Sequence, residues 1–309
     1  MYDAAIIGAG PAGLNAALTL GRARRTAIVC DSGSPRNATV EHAHGFLSRD
    51  GVPPSELRAI GREEVSRYGV EFRDLGVTAA ERTDEGFTLT LTDGSTVTSR
   101  RVVLATGLVD ELPEVDGLAA MWGRSAFNCP YCNGWELSDR PIAVLGGDAE
   151  AVVLALHMRR WSQDLVVCTD GPAKFDDTQR GQLAAAGVTI REDAIRRFDG
   201  VDGSLRAVEF STGEELEREA VFLRTRTSQR SDIGKQLGCN HFDDGAVEVN
   251  DFQQTTVPGV FAVGDTARRA SLPFAAAQLV IAAASGALAA VVIDLELLGA
   301  EVSSLTPPA

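Results

Sequence analysis

The chain has 309 residues, 44% of them hydrophobic, and a formal net charge of -14. That is enough apolar material for one or two packed domains, and a phosphate backbone would repel so acidic a chain, which argues against a nucleic-acid partner. Five cysteines at scattered spacing, Cys30, Cys129, Cys132, Cys168 and Cys239, do not make the disulfide framework of a small secreted domain.

Met1-Tyr2-Asp3 leads straight into an apolar run, without the basic stretch and apolar segment of a signal peptide, so a cytoplasmic protein is expected and the sequon Asn37-Ala38-Thr39 carries no meaning. Ala4 to Ile7 is a short strand ending in Gly8-Ala9-Gly10-Pro11-Ala12-Gly13. A helix follows to about Arg22, then a second strand from Thr26 to Cys30 that ends at Asp31. Strand, glycine turn, helix, strand and acid in this order form a dinucleotide-binding fingerprint. Gly8 permits the tight turn, Gly10 lets a pyrophosphate approach the backbone, and Gly13 lets the helix pack on the sheet. The helix N-terminus stabilises phosphate, and Asp31 is suited to ribose hydroxyls.

Pro53-Pro54-Ser55 starts a helix running to about Tyr68, and Val70-Glu71-Phe72 is a strand. Phe87, Leu89 and Leu91 alternate with threonines before the turn Asp93-Gly94, a hairpin signal. Arg101 to Leu104 is a buried strand ending at Ala105-Thr106-Gly107.

The stretch Cys129-Pro130-Tyr131-Cys132-Asn133-Gly134-Trp135-Glu136 comes next. A Cys-x-x-Cys pair closes a reducible disulfide or binds a metal. Zinc would need a second ligand pair, and neither the histidines nor the other cysteines offer one at suitable spacing. Cys30, Cys168 and Cys239 read as inert structural residues.

The first pattern then repeats: strand Pro141 to Leu145, turn Gly146-Gly147, helix Ala149 to about Arg160, and strand Asp164 to Cys168. Val188 to Ile190, the hairpin around Ser211-Thr212-Gly213, and Val221 to Leu223 match their counterparts in the first half. The chain returns to the first unit with strands Ala246 to Val249 and Val260 to Val263, then Gly264-Asp265. The uncharged run Ala270 to Ile293 could span a bilayer by length. Alanine dominates it, and Pro273, Gln278 and Gly286 interrupt it, so it reads as a buried helix and no membrane partner is expected. The tail from Glu301 reads as irregular.

In motif order and over nearly its full length the chain resembles the low-molecular-weight thioredoxin reductase group of flavoproteins. The resemblance rests on Gly8-x-Gly10-x-x-Gly13, Ala105-Thr106-Gly107, Cys129-x-x-Cys132, the second glycine turn and Gly264-Asp265. It implies an α/β fold of two Rossmann-like, doubly wound domains, one inserted in the other. The FAD domain would be 1–115 with 246–309, the pyridine-nucleotide-type domain 116–245, and the protein a homodimer. FAD would lie at Gly8, Gly10, Pro11, Ala12, Gly13, Asp31, Asn37, Ala105, Thr106, Gly107, Gly264 and Asp265. His44 would touch the flavin, and the start of the last helix near Phe274 would face its pyrimidine edge.

The chain departs from that group in three places. Asp148 stands where the second turn has its third glycine, and a carboxylate there repels a pyrophosphate. Thr169 to Phe175 lacks the basic cluster that binds a 2′-phosphate, although Asp170 could serve ribose hydroxyls. Asn133 replaces the Asp proton donor that follows the second cysteine. In these departures the chain resembles the FAD-dependent dithiol oxidases that close disulfides in small natural products of the gliotoxin and holomycin type. That resemblance implies a Cys129–Cys132 disulfide, with Cys129 facing a small-molecule dithiol and Cys132 facing FAD, and O2 as terminal acceptor. His42, His44 and Glu136 are candidates for the base. A reductase using NAD(P)H or another electron donor is the rival reading, and a flavin-binding sensor a third.

Overall fold

In the computed structural model, residues 1–274 and 276–305 are described. They divide into two compact units, one of Met1–Ala38, Ser55–Val109 and Ser228 onward, the other of Thr39–Pro54 and Asp110–Thr227.

The first unit is built on a seven-stranded sheet. Glu71–Arg73, Ala27–Cys30, Tyr2–Ile7 and Thr96–Leu104 run parallel in that order, and Val260–Ala262 joins Thr96–Leu104, also parallel. The hairpin strands Phe87–Leu91 and Val77–Arg82 extend the sheet antiparallel. Ala4, Ile6, Ile28 and Val103 are fully buried, as expected of parallel strands covered on both faces. Register aligns Ile7 with Cys30 and Leu104, and Leu104 with Ala262. The loops that follow these residues therefore gather at one edge, the carboxyl edge where such sheets bind ligands.

Two helices cover one face. Pro11–Arg22 buries Leu14, Ala16, Ala17 and Leu20. The last helix, Leu279–Leu305, lies against it at Gly286, where a Cβ would come within 1.9 Å of the Ala12 carbonyl oxygen. Its expected burial holds on one face only. Ala282, Ala289, Ala290, Ile293 and Leu297 are buried, whereas Ile281, Leu288, Leu295 and Val302, spaced seven apart, are exposed. The helix is long and apolar enough to cross a membrane by length and composition, a test that core helices also pass. It begins at Leu279, not near Phe274, which lies exposed in the preceding turn beside Pro273, a residue with no N–H to give. It also continues past Glu301, which pairs with Arg25 at 2.5 Å, instead of fraying there; residues 306–309 lie outside those described.

The second unit repeats the plan. Thr189–Arg191, Leu165–Cys168, Ile142–Leu145, Ala220–Leu223 and Ala126–Phe127 form an all-parallel sheet, with a separate antiparallel ribbon over Ile195–Val201, Ser204–Phe210 and Glu215–Glu217. Ala149–Met158 packs on the sheet through Val152, Leu154, Ala155 and Met158.

The unit boundaries differ from the expected 115 and 246 in three ways, the smallest being that residues 110–115 go with the second unit. Residues 228–245 go with the first unit, because Ile233 is buried in its core and Gln236 accepts from the Ala80 N–H at 3.2 Å. Residues 39–54 go with the second, where Thr39 lies against Gly123 and His44 against Glu136.

Candidate active site

In the first unit the glycine turn has two closed sides and one open one. A Cβ on Gly8, whose φ is +110°, would meet the Ala105 carbonyl oxygen at 2.4 Å, and one on Gly13 would meet the Gly8 carbonyl oxygen at 1.9 Å. Nothing lies within 4 Å of the same position on Gly10. Pro11 occupies the first turn of the helix, and no side chain caps its N-terminus. The positive end of the helix dipole is thus open beside a surface that only backbone approaches. Asp31, at the tip of the neighbouring strand, accepts the Ala9 N–H at 3.0 Å and so braces the turn with one oxygen.

The remaining expected cofactor residues sit in the same unit. Asn37 accepts from Arg58 Nη1 at 3.4 Å. Burial holds the Arg58 guanidinium below its ordinary pKa, with Asp31 opposing that shift. Ala105 donates its N–H to the Ile7 carbonyl, and Thr106 Oγ1 lies 3.2 Å from Thr266 Oγ1. The Gly107 carbonyl accepts the Arg230 N–H. Gly264 donates its N–H to Ser285 Oγ at 2.9 Å, and Asp265 pairs with Arg36 at 3.0 Å, a partner the sequence reading did not supply. A backbone-lined cradle, an open helix N-terminus and an acid at the next strand tip fit a dinucleotide such as FAD.

The second unit's turn has the same placement and a different end. Asp148 Oδ1 accepts the N–H groups of Glu150 and Ala151, both at 3.1 Å, so a carboxylate of the chain itself caps Ala149–Met158. Asp170 is also engaged, accepting the Ile195 N–H at 2.7 Å, and Thr169 Oγ1 donates to the Gly171 carbonyl. The anion position and the nearby acid are both occupied from within.

The cysteine stretch leaves the edge strand Ala126–Phe127. Asn128 Nδ2 donates to Asp110 Oδ1 at 3.2 Å, and Thr225 Oγ1 donates to the same oxygen at 2.7 Å, which pins the backbone just before Cys129. Cys129 and Cys132 form a disulfide. Cys129 stands at the start of a short helix, Pro130–Asn133, and its carbonyl accepts the N–H groups of Cys132 and Asn133 at 3.2 and 3.3 Å. A helical turn brings positions i and i+3 together, which suits a Cys-x-x-Cys bridge. Gly134 is needed next, because a Cβ there would lie 2.5 Å from the Pro130 carbonyl oxygen and 2.9 Å from the Trp161 ring. Tyr131, His157 and Trp161 meet edge to face at 5.1 to 6.0 Å between centroids, and Tyr131 and Trp135 remain largely exposed beside the disulfide. Burial, helped by Arg160 and Arg224, lowers the pKa of His157. No motif announced this aromatic group, because its members come from separate elements.

His44 lies between two carboxylates. Its Nε2 is 3.4 Å from Glu136 Oε1 and its Nδ1 is 3.5 Å from Asp50 Oδ2, all three residues belonging to the second unit. His42 Nδ1 is 3.0 Å from the Gly51 carbonyl. The other three cysteines are free and buried, and burial raises each thiol pKa, to about 11 for Cys30 and about 12 for Cys168. No cluster able to hold a metal occurs among the described residues.

The family model for pyridine nucleotide-disulphide oxidoreductases matches residues 2–287. A thioredoxin reductase named tcpT from Claviceps purpurea is 35% identical over 86% of this chain and 86% of its own length. A thioredoxin reductase named sirT from Leptosphaeria maculans is 32% identical over 98% of this chain and 97% of its own. Among solved structures, that of HlmI superposes with a TM-score of 0.92 at 42% identity, covering 98% of this chain and 94% of that one.

Proposed function

Since this chain belongs to the pyridine nucleotide-disulphide oxidoreductase family, as a thioredoxin reductase-like flavoprotein that binds FAD, we propose that it runs thiol–disulfide exchange in the oxidising direction. In this reading it is a dithiol oxidase. It closes an intramolecular disulfide in a small natural-product dithiol, and O2 is the terminal acceptor, giving H2O2. The observation that carries the reading is the internal cap on Ala149–Met158: Asp148 fills the place where a nicotinamide dinucleotide would put its pyrophosphate.

The chain's own residues have the following parts. Gly8, Gly10, Pro11, Ala12 and Gly13 hold the pyrophosphate, and Asp31 and Asn37 serve the sugar side. Ala105, Thr106, Gly107, Gly264 and Asp265 complete the FAD site. A substrate thiolate attacks Cys129 and opens the Cys129–Cys132 bond; the second substrate thiol then displaces Cys129 and closes the product disulfide. Asn133 steadies a thiolate by hydrogen bonding and takes no proton from it. FAD, when bound, accepts the electron pair from the reduced cysteines and passes it to O2. The exposed stripe of Ile281, Leu288, Leu295 and Val302, with Val291, Leu298 and Leu305 each three residues beyond one of them, is the self-complementary surface of a homodimer.

A second reading, a disulfide reductase, draws on the names of tcpT and sirT and on the intact cysteine pair. One experiment separates the two. The purified flavoprotein is mixed with a small dithiol in air, and anaerobically with NADPH or NADH. Oxygen uptake with the dithiol and no bleaching of the flavin by either nicotinamide supports the oxidase. Rapid bleaching by NADPH overturns it.

A further inference from the structure

Residues 39–54 fold onto the unit that carries the cysteine pair. Ala43 and Val52 pair across this loop, the Ala43 N–H donating to the Val52 carbonyl and the Gly51 N–H to the Ala43 carbonyl, each at 2.9 Å. The Gly45 N–H donates to Asp50 Oδ1 at 2.8 Å, and this bond turns the carboxylate back towards its own loop. The other oxygen, Oδ2, then faces His44 Nδ1, while the far nitrogen of that ring faces Glu136. Glu136 lies in the short helical turn Trp135–Leu137, which continues from the cysteine helix through Gly134 in right-handed helical conformation. It is therefore one turn beyond Cys132. The His44 side chain is 21% exposed, less than either carboxylate. The other titratable group facing it is His42, with ring centroids 6.4 Å apart. The Nδ1 of His42 is taken up by the Gly51 carbonyl.

We propose that Asp50, His44 and Glu136 form a proton relay for the Cys129–Cys132 pair, with His44 as the group that holds the proton during exchange. The proposal rests on the thiol–disulfide exchange described above, in either direction. A thiol of ordinary pKa, about 8.5, is mostly protonated at neutral pH, yet the thiolate is the attacking species. A base titrating near neutrality resolves this, and imidazole is the side chain that does so unperturbed. Asn133, next to Cys132, has no proton to exchange. Asp50 lies on the Nδ1 side of the ring and Glu136 on the Nε2 side, so a proton held on Nε2 faces Glu136.

The exchange balances within the chain. The substrate thiol gives its proton to the relay as its sulfur bonds to one cysteine sulfur. The Cys129–Cys132 bond breaks with that bond's formation, and the relay returns the proton to the displaced cysteine sulfur. One S–S bond forms and one breaks. After the second exchange two electrons have passed from the substrate dithiol to the cysteine pair. His44 acts through Glu136 and is a positioning residue in that sense.

The test uses the flavin-loaded protein without oxygen or nicotinamide, so it does not depend on which electron acceptor or donor the enzyme uses. Dithiothreitol reduces the disulfide; bleaching of the bound flavin, which takes up the first electron pair, and the thiols freed afterwards, counted by alkylation and mass spectrometry, together give the exchange rate from pH 6 to about 9.5. His44→Gln should slow reduction about 10- to 100-fold at neutral pH, and the deficit should close as pH rises past the thiol pKa, where the thiolate forms unaided. Glu136→Gln, at an exposed position, should show the same pH-dependent deficit in smaller degree and guards against a folding defect in the first variant. Slowing by an equal factor at every pH would mark His44 as merely structural and overturn the relay, as would a His44→Gln profile matching that of the unaltered protein. With the expected His44→Gln profile in hand, a lack of oxygen uptake by the unaltered protein with a dithiol in air would leave the relay standing and count against the oxidase reading alone.

Discussion

Asp148 accepts the backbone N–H groups of Glu150 and Ala151 at the point in the second βαβ turn that Gly10 leaves open in the first. Two copies of one local fold thus end differently. One presents an open helix N-terminus to an anionic ligand, and the other satisfies that N-terminus with its own carboxylate.

The cap is expected to be structural. Asp148→Ala should lower stability by about 1 kcal/mol, read as a shift in the urea midpoint at unchanged slope. It should not give NADPH access to the flavin, because the segment after Cys168 still lacks a basic cluster and Asp170 stays bound to Ile195. Bleaching of the variant by NADPH would show that Asp148 alone closes the site.

Gly13→Ala should abolish cofactor retention. The added methyl would sit 1.9 Å from the Gly8 carbonyl oxygen, so the turn must open and the cradle spread. Purified variant should carry little flavin by its visible absorbance. A full complement of flavin would contradict the role given to this turn.

At Gly134 the cost falls on the cysteines. Gly134→Ala pushes against the Pro130 carbonyl and the Trp161 ring, and small-to-large changes in packed sites cost about 1–3 kcal/mol. The cysteine helix should shift, and turnover with a dithiol should fall more than about tenfold, which 1.4 kcal/mol suffices to produce. FAD content should stay normal, since no first-unit residue is altered.

The buried thiols give a pH dependence. Burial raises Cys30 from 9.0 to about 11 and Cys168 from 9.0 to about 12. A thiol reagent at about pH 8 should therefore find no reactive group in the oxidised native protein, and Cys129 and Cys132 alone after reduction. The folded state holds these protons more tightly than the unfolded one does. The stability they lend is complete below about pH 9 and is lost as pH rises through 11 to 12. Urea midpoints across that range should fall, and a rise would reverse the sign argued here.

Leu288→Glu with Leu295→Glu should leave the fold intact and split the proposed homodimer, since both side chains already face outward. Sedimentation equilibrium reads the result. A monomer in the unaltered protein would remove the role proposed for this face.

Much of the fold was readable in the sequence because glycine turns between apolar strands leave few alternatives. The first turn, the hairpin at Asp93-Gly94 and the repeat of the whole pattern are local signals. The Cys129–Cys132 pair was readable as a disulfide or a metal site, and the family resemblance singled out the disulfide, whose partners lie within one helical turn. Contacts between distant segments left no such mark. Nothing in the spacing of His44 and Glu136, or of Arg36 and Asp265, announces that they meet. The late start of the last helix and its two unequal faces also escaped, because alanine-rich runs fit a buried or a half-exposed helix equally well.

The contact between Gly286 and Ala12 joins the two ends of the chain at the cofactor cradle. During synthesis the second unit, from Asp110 to Thr227, is complete well before that contact can form. The first unit, by contrast, has its glycine turn made early and its covering helix made last. Until Leu279–Leu305 emerges, Leu14, Leu20 and the sheet beneath them lack part of their cover. The inserted unit, which folds as a unit once made, is thus ready first, and the fragment ahead of it waits in an aggregation-exposed state. Capture of a dinucleotide at the glycine turn is therefore expected to follow the emergence of Leu279–Leu305, and truncation within that helix should leave a folded cysteine unit attached to an incomplete first unit.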